Sequence, residues 1–429
     1  MSIIKSIQAL QVIDSRGTPT ISCKVTLENE IFATSMVPSG ASTGSREALE
    51  LRDGGNAYMG KGVQNAINNI HEIIAPALLG MDVTNQQAID EKMIALDGTQ
   101  AKSNLGANAI LGVSLAALNA GAKSVGIPLY LHINNVFNDI NGTRPRMQLP
   151  TPMLNIINGG EHADNNIDIQ EFMIMPIGAE NFSQGMQWAT EIYSDLKKIL
   201  HKKGLSTSVG DEGGFAPNLQ SNKEAIELII RAIQNNNLRE GEDVVIALDC
   251  AATEFYRNGI YHLPGESAEL NSSEFIKYLE TLTNQYPISS IEDGMDESDF
   301  IGWKDLNKAL GEKCQLVGDD LFVTNVLELQ RGIDESLANS ILIKFNQIGT
   351  LAETMKTIHL GNLNGFTSII SHRSGETEDS TIADLSVGLG TGQIKTGAPC
   401  RSDRVAKYNR LLWIEAEESD LNFARNVFN

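Results

Sequence analysis

Near the N-terminus the stretch ISCKVTLENEIFATSMV alternates apolar and polar residues, the pattern of a β-hairpin with one buried face. Farther on, NAINNIHEIIAPALL and NQQAIDEKMIAL carry apolar residues three and four apart, which predicts helices. The stretch NNVFNDINGTRPRMQLP, residues 134–150, is rich in turn-forming residues and prolines, and a domain junction is placed there. The expected division is an α+β domain over residues 1–135, a junction over 136–150, and a second domain over 151–429.

Beyond the junction the pattern becomes regular. A short apolar run ends in a charged residue, and an amphipathic helical segment follows. VVIALD ends at Asp249, ISSIE at Glu292, QLVGD at Asp319, ILIK at Lys344, TSIISHR at His372 and Arg373, and QIK at Lys395. Successive ends lie 43, 27, 25, 28 and 23 residues apart, and most of these intervals are one βα unit long. SNKEAIELIIRAI, SEFIKYLETL and TIADLSVGL supply helical spacing between them. Repeated βα units imply a parallel sheet, and one this long in a single domain implies a closed α/β barrel. In such a barrel the strands' C-terminal ends converge on the site. Any one charged end reads as a surface residue. Six in series, of mixed sign, read as a site for a cation and an anion.

A chain of 429 residues suits a large barrel plus a smaller domain. The net charge of −21 argues against nucleic acid as a primary ligand, because phosphate binding calls for a basic footprint. It also requires that local cations reverse the field if the substrate is an anion. Cys23, Cys250, Cys314 and Cys400 are scattered and form no C-x-x-C pair, which fits reduced thiols. The most apolar stretch, residues 107–126, is interrupted by Asn108, Asn119 and Lys123 and reads as a packed helix rather than a membrane span. The N-terminus carries no signal-peptide pattern, so a cytoplasmic location is expected.

Three carboxylates at strand ends, Asp249, Glu292 and Asp319, would repel one another without a cation. A hard divalent ion with oxygen ligands resolves the conflict; salt bridges to Lys344 and Arg373 are the plainer alternative. Lys344 lies inside the apolar run ILIKFNQIG, where burial and nearby cations are expected to depress its pKa and make it a base. A structural ion pair is the other reading. Glu212, in VGDEGGFAP, is expected to keep its proton beside other carboxylates and serve as a general acid, with the glycines allowing close approach to a ligand. PSGASTG (38–44) and NGGEHADNN (158–166, carrying His162) resemble lid loops as much as ordinary turns. His372, Arg373 and Ser374 offer phosphate chemistry, with Lys395 a second positive charge.

These residues lie in motifs that resemble the enolase family. DSRGTPT, PSGASTG, GANAILGVSLA, INGGEHADNNIDIQEFMI, GDEGGFAPNL, ALDCAATEFY, SIEDGMDESD, GDDLFVTN, IKFNQIGT, SHRSGETEDSTIADL and GQIKTGAPCRSDR follow in family order across nearly the whole chain. SIEDGMDESD, with Gly294 after the acidic pair, looks like the bacterial branch. The resemblance implies an N-terminal α+β domain and a C-terminal (β/α)8-type enolase barrel whose first strands and helices depart from regular alternation. It implies reversible dehydration of 2-phospho-D-glycerate to phosphoenolpyruvate, with two Mg²⁺ per site. Asp249, Glu292 and Asp319 match ligands of the first ion, and Ser42 a ligand of the second. Lys344 matches the base, Glu212 the acid with Glu171 beside it, and His162 and Gln170 substrate contacts. Arg373 and Ser374 match the phosphate contacts, His372 stands beside them, and Lys395 matches the cation facing the substrate carboxylate. The resemblance further implies a homo-oligomer, dimer or octamer, and allows surface or RNA-processing partners as secondary roles. Racemisation or cycloisomerisation would share the carboxylates and the base, but would not require Glu212 or the Arg373–Ser374 pair.

Overall fold

A computed structural model describes residues 2–41 and 44–425. The alternating N-terminal pattern folds into an antiparallel sheet of β1 (Ile4–Ile13), β2 (Pro19–Leu27) and β3 (Phe32–Met36). Ile21, Cys23, Val25 and Leu27 of β2 are buried on one face. Against that face lies the helix Ala107–Val125. Its small residues let the backbones approach. A Cβ added at Gly112 would meet Ile21, Cys23 and Val37 side chains at 3.4–3.5 Å, and the Gly112 carbonyl accepts the Ser35 hydroxyl at 2.9 Å. Among the described residues no single helix is long and apolar enough to cross a membrane.

The segment 134–150, read as turn-forming, is half helix. The helix Leu129–Asn141 runs through its first part and stops at Gly142, which takes the left-handed conformation (φ +70°). Its buried face of Tyr130, Ile133, Val136 and Phe137 outweighs the poor helix propensity of its asparagines.

The second half closes a barrel. Its strands are β4 (Thr151–Asn158), β5 (Glu171–Met175), β6 (Val245–Asp249), β10 (Ile288–Glu292), β11 (Gln315–Gly318), β12 (Ser340–Ile343), β13 (Thr367–Ser371) and β14 (Gly392–Lys395). They pair in that order, and β14 returns to β4. All neighbours are parallel except β5, which is antiparallel to both β4 and β6. Two helices, Phe182–Lys202 and Asn222–Asn235, then precede β6, so the barrel opens ββαα before regular alternation begins. The long interval between Asp249 and Glu292 holds a small antiparallel sheet, β7 (Tyr256–Arg257), β8 (Ile260–Leu263) and β9 (Ala268–Leu270). Met153, Met173, Met175, Val245, Val317, Leu342 and Ile369 fill the barrel axis. Ala424 joins that cluster, and residues 422–424 bond to Leu149 just ahead of β4, so the C-terminal segment covers the end opposite the charged mouth.

Candidate active site

Strand register brings the first three acids together. Glu171 pairs with Asp249 across β5–β6, and Asp249 with Glu292 across β6–β10. Because β5 runs backwards, its first residue, not its last, faces the mouth. Asp319 follows β11 directly. Its backbone N–H and that of Asp320 donate to the two Asp293 oxygens at 2.9 and 3.0 Å.

Two lysines sit among these acids. Lys395 Nζ donates to Asp249 at 2.9 Å and to both Glu292 oxygens at 2.8 and 2.9 Å, and lies 3.3 Å from Glu171. Burial works against its charge, but Asp249, Glu171 and Glu292 prevail and hold its pKa well above the usual lysine range. Lys344 Nζ bonds Asp319 Oδ2. Here the expectation fails: burial does push the Lys344 pKa down, but Asp319 reverses the effect and the net shift is upward. Asp319 is held below the usual carboxylate range, because Lys344 and Arg373 overcome its burial. Glu292 is raised well above it by burial and by Asp249.

Glu212 lies on the loop between the two early helices and reaches into the mouth beside β4. Asn155 Nδ2 donates to its Oε2 at 3.1 Å, and His372 Nε2 lies 3.3 Å from the same oxygen. On the far side of that imidazole, Arg404 Nη1 stands 2.5 Å from Nδ1. A guanidinium only donates, so Nδ1 accepts and the His372 proton sits on Nε2, facing Glu212. Burial, with Arg404 behind it, pushes the His372 pKa down to about 4 against the pull of Glu212. His162 lies 3.4 Å from Glu171 and 3.7 Å from Glu212, and burial lowers its pKa too. Glu212 itself is held well below the usual range: burial opposes this, but the flanking histidines and the Asn155 amide favour the carboxylate. Glu171 is raised well above it, by burial and by Glu212. The surroundings thus favour the carboxylate on Glu212 and the neutral acid on Glu171, opposite to the expectation for Glu212. Nor do the glycines after Glu212 admit a ligand. A Cβ at Gly214 would come within 2.3 Å of Asn158 Oδ1 and one at Gly213 within 3.0 Å of the Cys400 carbonyl, so Gly214 serves packing against β4 and Gly213 packing against the segment after β14.

Arg373 and Ser374 follow β13. The Arg373 guanidinium grips Glu47 with both terminal nitrogens, at 2.9 and 3.2 Å. The Ser374 hydroxyl accepts Ala41 N–H at 2.7 Å and Arg16 Nη1 at 3.2 Å. Arg16 also holds the Ser39 and Gly40 carbonyls, and Ser39 pairs with Gly375, so the glycine-containing loop 38–41 is stitched to the end of β13. Ser42, the expected ligand of a second ion, lies outside the described residues.

The enolase C-terminal TIM barrel domain matches residues 146–426, and the enolase N-terminal domain matches residues 4–133. The chain belongs to the enolase family. Lyase activity of the enolase type goes with that membership, and the reversed β5 is the expected departure from regular alternation. The protein gathers His162, Gln170, Glu171, Glu212, Asp249, Asp319, Lys344, His372, Arg373, Ser374 and Lys395 around one cavity, with Glu292 beneath them on Lys395.

Carboxylates dominate the mouth, and one Glu171 oxygen is buried without a partner, which suits a hard cation. Among the described residues two groups could hold an ion by spacing, His162–Glu171–Glu212 and Asp293–Asp319–Asp320. The expected set of Asp249, Glu292 and Asp319 is not one of them: Lys395 bonds Asp249 and Glu292, and Lys344 bonds Asp319. Sequence reasoning missed Glu47, Arg16, Arg404, Asp293, Asp320 and Gln347. Arg16 stands in the quoted DSRGTPT, Asp293 in SIEDGMDESD, Asp320 in GDDLFVTN, Gln347 in IKFNQIGT and Arg404 in GQIKTGAPCRSDR, but nothing in the spacing of Glu47 points to the barrel mouth.

Proposed function

We propose that this enolase catalyses the reversible dehydration of 2-phospho-D-glycerate to phosphoenolpyruvate and water. The observation that carries the reading is the placement of Lys344 across the barrel mouth from Glu171 and Glu212. Lys344 follows β12, whereas the two acids stand beside β4 and β5. A base on one side and an acid on the other suit removal of a proton and a hydroxyl from adjacent carbons.

Removing a proton beside an ionised carboxylate builds a dianionic enediolate, so charge must be met where it develops. Asp249, Glu292 and Asp319 would hold one magnesium ion and Ser42 would help hold a second; bound, the ions would supply that stabilisation. The remaining work falls to the chain. Lys344 takes the α-proton. It must first be neutral, and since Asp319 is what retains its proton, Asp319 engaged elsewhere releases it. The Glu171–Glu212 pair delivers a proton to the leaving hydroxyl: Glu171 stores it, and Glu212 is steered by Asn155 and the His372 Nε2–H. Lys395 faces the substrate carboxylate, His162 and Gln170 contact the substrate, and Arg373 with Ser374 receives the phosphate. The protein acts in the cytoplasm as a homo-oligomer of the bacterial type. The exposed Leu10, Ile13 and Trp413 are apolar surface available to a second copy.

The test is the ultraviolet absorbance of the enol product on incubation with 2-phosphoglycerate, first with magnesium and then with excess chelator. Magnesium-dependent growth of absorbance is expected, with none in chelator. Folded, metal-loaded protein without turnover would overturn the proposal and leave a binding role in its place.

A further inference from the structure

Gln347 and Glu47, two side chains that the proposed reaction does not use, link Asp319 to Arg373. Gln347 Nε2 donates to Asp319 Oδ1 at 2.8 Å and to Glu47 Oε1 at 3.3 Å. Its carbonyl oxygen lies 3.0 Å from the Thr324 hydroxyl. That hydroxyl already accepts the Lys344 backbone N–H at 2.8 Å. It has one proton to give, and Gln347 Oε1 is a nearer acceptor than the Leu342 carbonyl at 3.5 Å. The Gln347 amide is therefore oriented: oxygen toward Thr324, nitrogen toward both carboxylates. Glu47 completes the chain by gripping Arg373 at 2.9 and 3.2 Å.

The backbone is strained to make this arrangement. Val323 and Thr324 are successive β-branched residues at φ +42° and +54°, in the left-handed region that such residues avoid. Strain of this kind persists where the surroundings over-determine it, and it clusters at functional sites. Gln347 and Thr324 are both buried.

We propose that Gln347 is a positioning residue that couples cation binding at Asp319 to anion binding at Arg373. The proposal rests on reading Asp319 as a cation ligand and Arg373 as the phosphate cation. Its sign follows from how one rigid amide is shared: each N–H serves one carboxylate, and the 2.8 Å bond to Asp319 leaves the Glu47 contact at 3.3 Å. When Asp319 is committed to a cation it draws less on the amide. The amide then shifts toward Glu47, whose hold on Arg373 loosens, and the Arg373 charge becomes available to an anion. Cation binding thus tightens anion binding, and by linkage the reverse holds by the same factor.

The experiment is titration calorimetry on the full chain with Mg²⁺ and inorganic phosphate as probes. The quantity read is the ratio of phosphate Kd without and with saturating Mg²⁺, in wild type, Gln347→Leu, Thr324→Val and Thr324→Ser. The wild-type ratio is expected within the range of about 5–150 usual for coupled sites. It should fall at least about threefold in Gln347→Leu and Thr324→Val, and be kept by Thr324→Ser, which retains the hydroxyl. A merely structural role would weaken each ligand but leave the ratio unchanged. An unchanged ratio in Gln347→Leu (or in Thr324→Val, should the first variant not fold) overturns the proposal, as does a wild-type ratio of one. If the ratio behaves as expected while 2-phosphoglycerate is not turned over, the reaction assignment falls and the coupling stands.

Discussion

Lys344 and Glu212 show how partners, not burial alone, set proton positions. Glu212 is buried and Lys344 largely so, and burial disfavours the charge on each, yet an adjacent opposite charge or donor reverses the outcome. The proposed roles separate cleanly by experiment. Lys344→Ala should lower exchange of the substrate's α-proton with solvent by about 10²–10⁴-fold, the usual weight of a general base. Glu212→Gln should leave exchange intact and block dehydration. Exchange followed by NMR in deuterated buffer, beside product formation, checks both. Full exchange in both variants would sink the base assignment. At this scale the sequence was legible wherever a charged residue ends an apolar run. It was silent on Glu47, whose partners Arg373 and Gln347 lie 326 and 300 residues away in the chain.

The elements deliver these residues through register and close packing. The loop 210–214 is the tightest case. Gly213 has φ +88°, Tyr193 donates its hydroxyl to the Gly213 carbonyl at 2.6 Å, and Gly214 abuts Asn158 and the Asn155 carbonyl. Gly214→Ala should therefore cost about 1–3 kcal/mol, the usual penalty of overpacking. Because Asn155 also donates to Glu212, kcat should fall more than KM rises. A thermal melt alongside steady-state kinetics tests this, and an unshifted melting point would contradict the packing argument. The reversal of β5 belongs to the same scale. A parallel βα pattern puts catalytic residues at the ends of strands, so Glu171, at the start of one, could be reached only by family resemblance.

Across the whole molecule, a buried acid is one of the links by which the N-terminal helices grip the barrel. Asp90 accepts the Ala352 N–H at 2.9 Å, at the start of the barrel helix Leu351–Leu363, and the Gln86 amide at 3.0 Å. Burial raises its pKa to about 7. The folded protein then keeps a proton that the unfolded chain loses near pH 4. The contribution is fully present below about pH 4 and is lost as pH rises toward 7, by up to about 1.4 kcal/mol per pH unit. Asp90→Asn should flatten that dependence. Its amide can donate to Gln86, whose Oε1 is buried without a partner. The urea midpoint should fall from pH 4.5 to pH 7 in wild type more than in Asp90→Asn, and equal slopes would refute the assignment.

The sequence by itself determined the barrel, the carboxylate and cation ends of its strands, and the family. Apolar periodicity and strand-end charge are local properties that survive any detail of packing. Tertiary structure alone decided which acid keeps the proton, that Lys344 is held by Asp319, and that Asp319 reaches Arg373 through Gln347 and Glu47. Those outcomes depend on which groups lie within a few ångströms of one another in a low-dielectric interior, where one added neighbour reverses the sign of a shift.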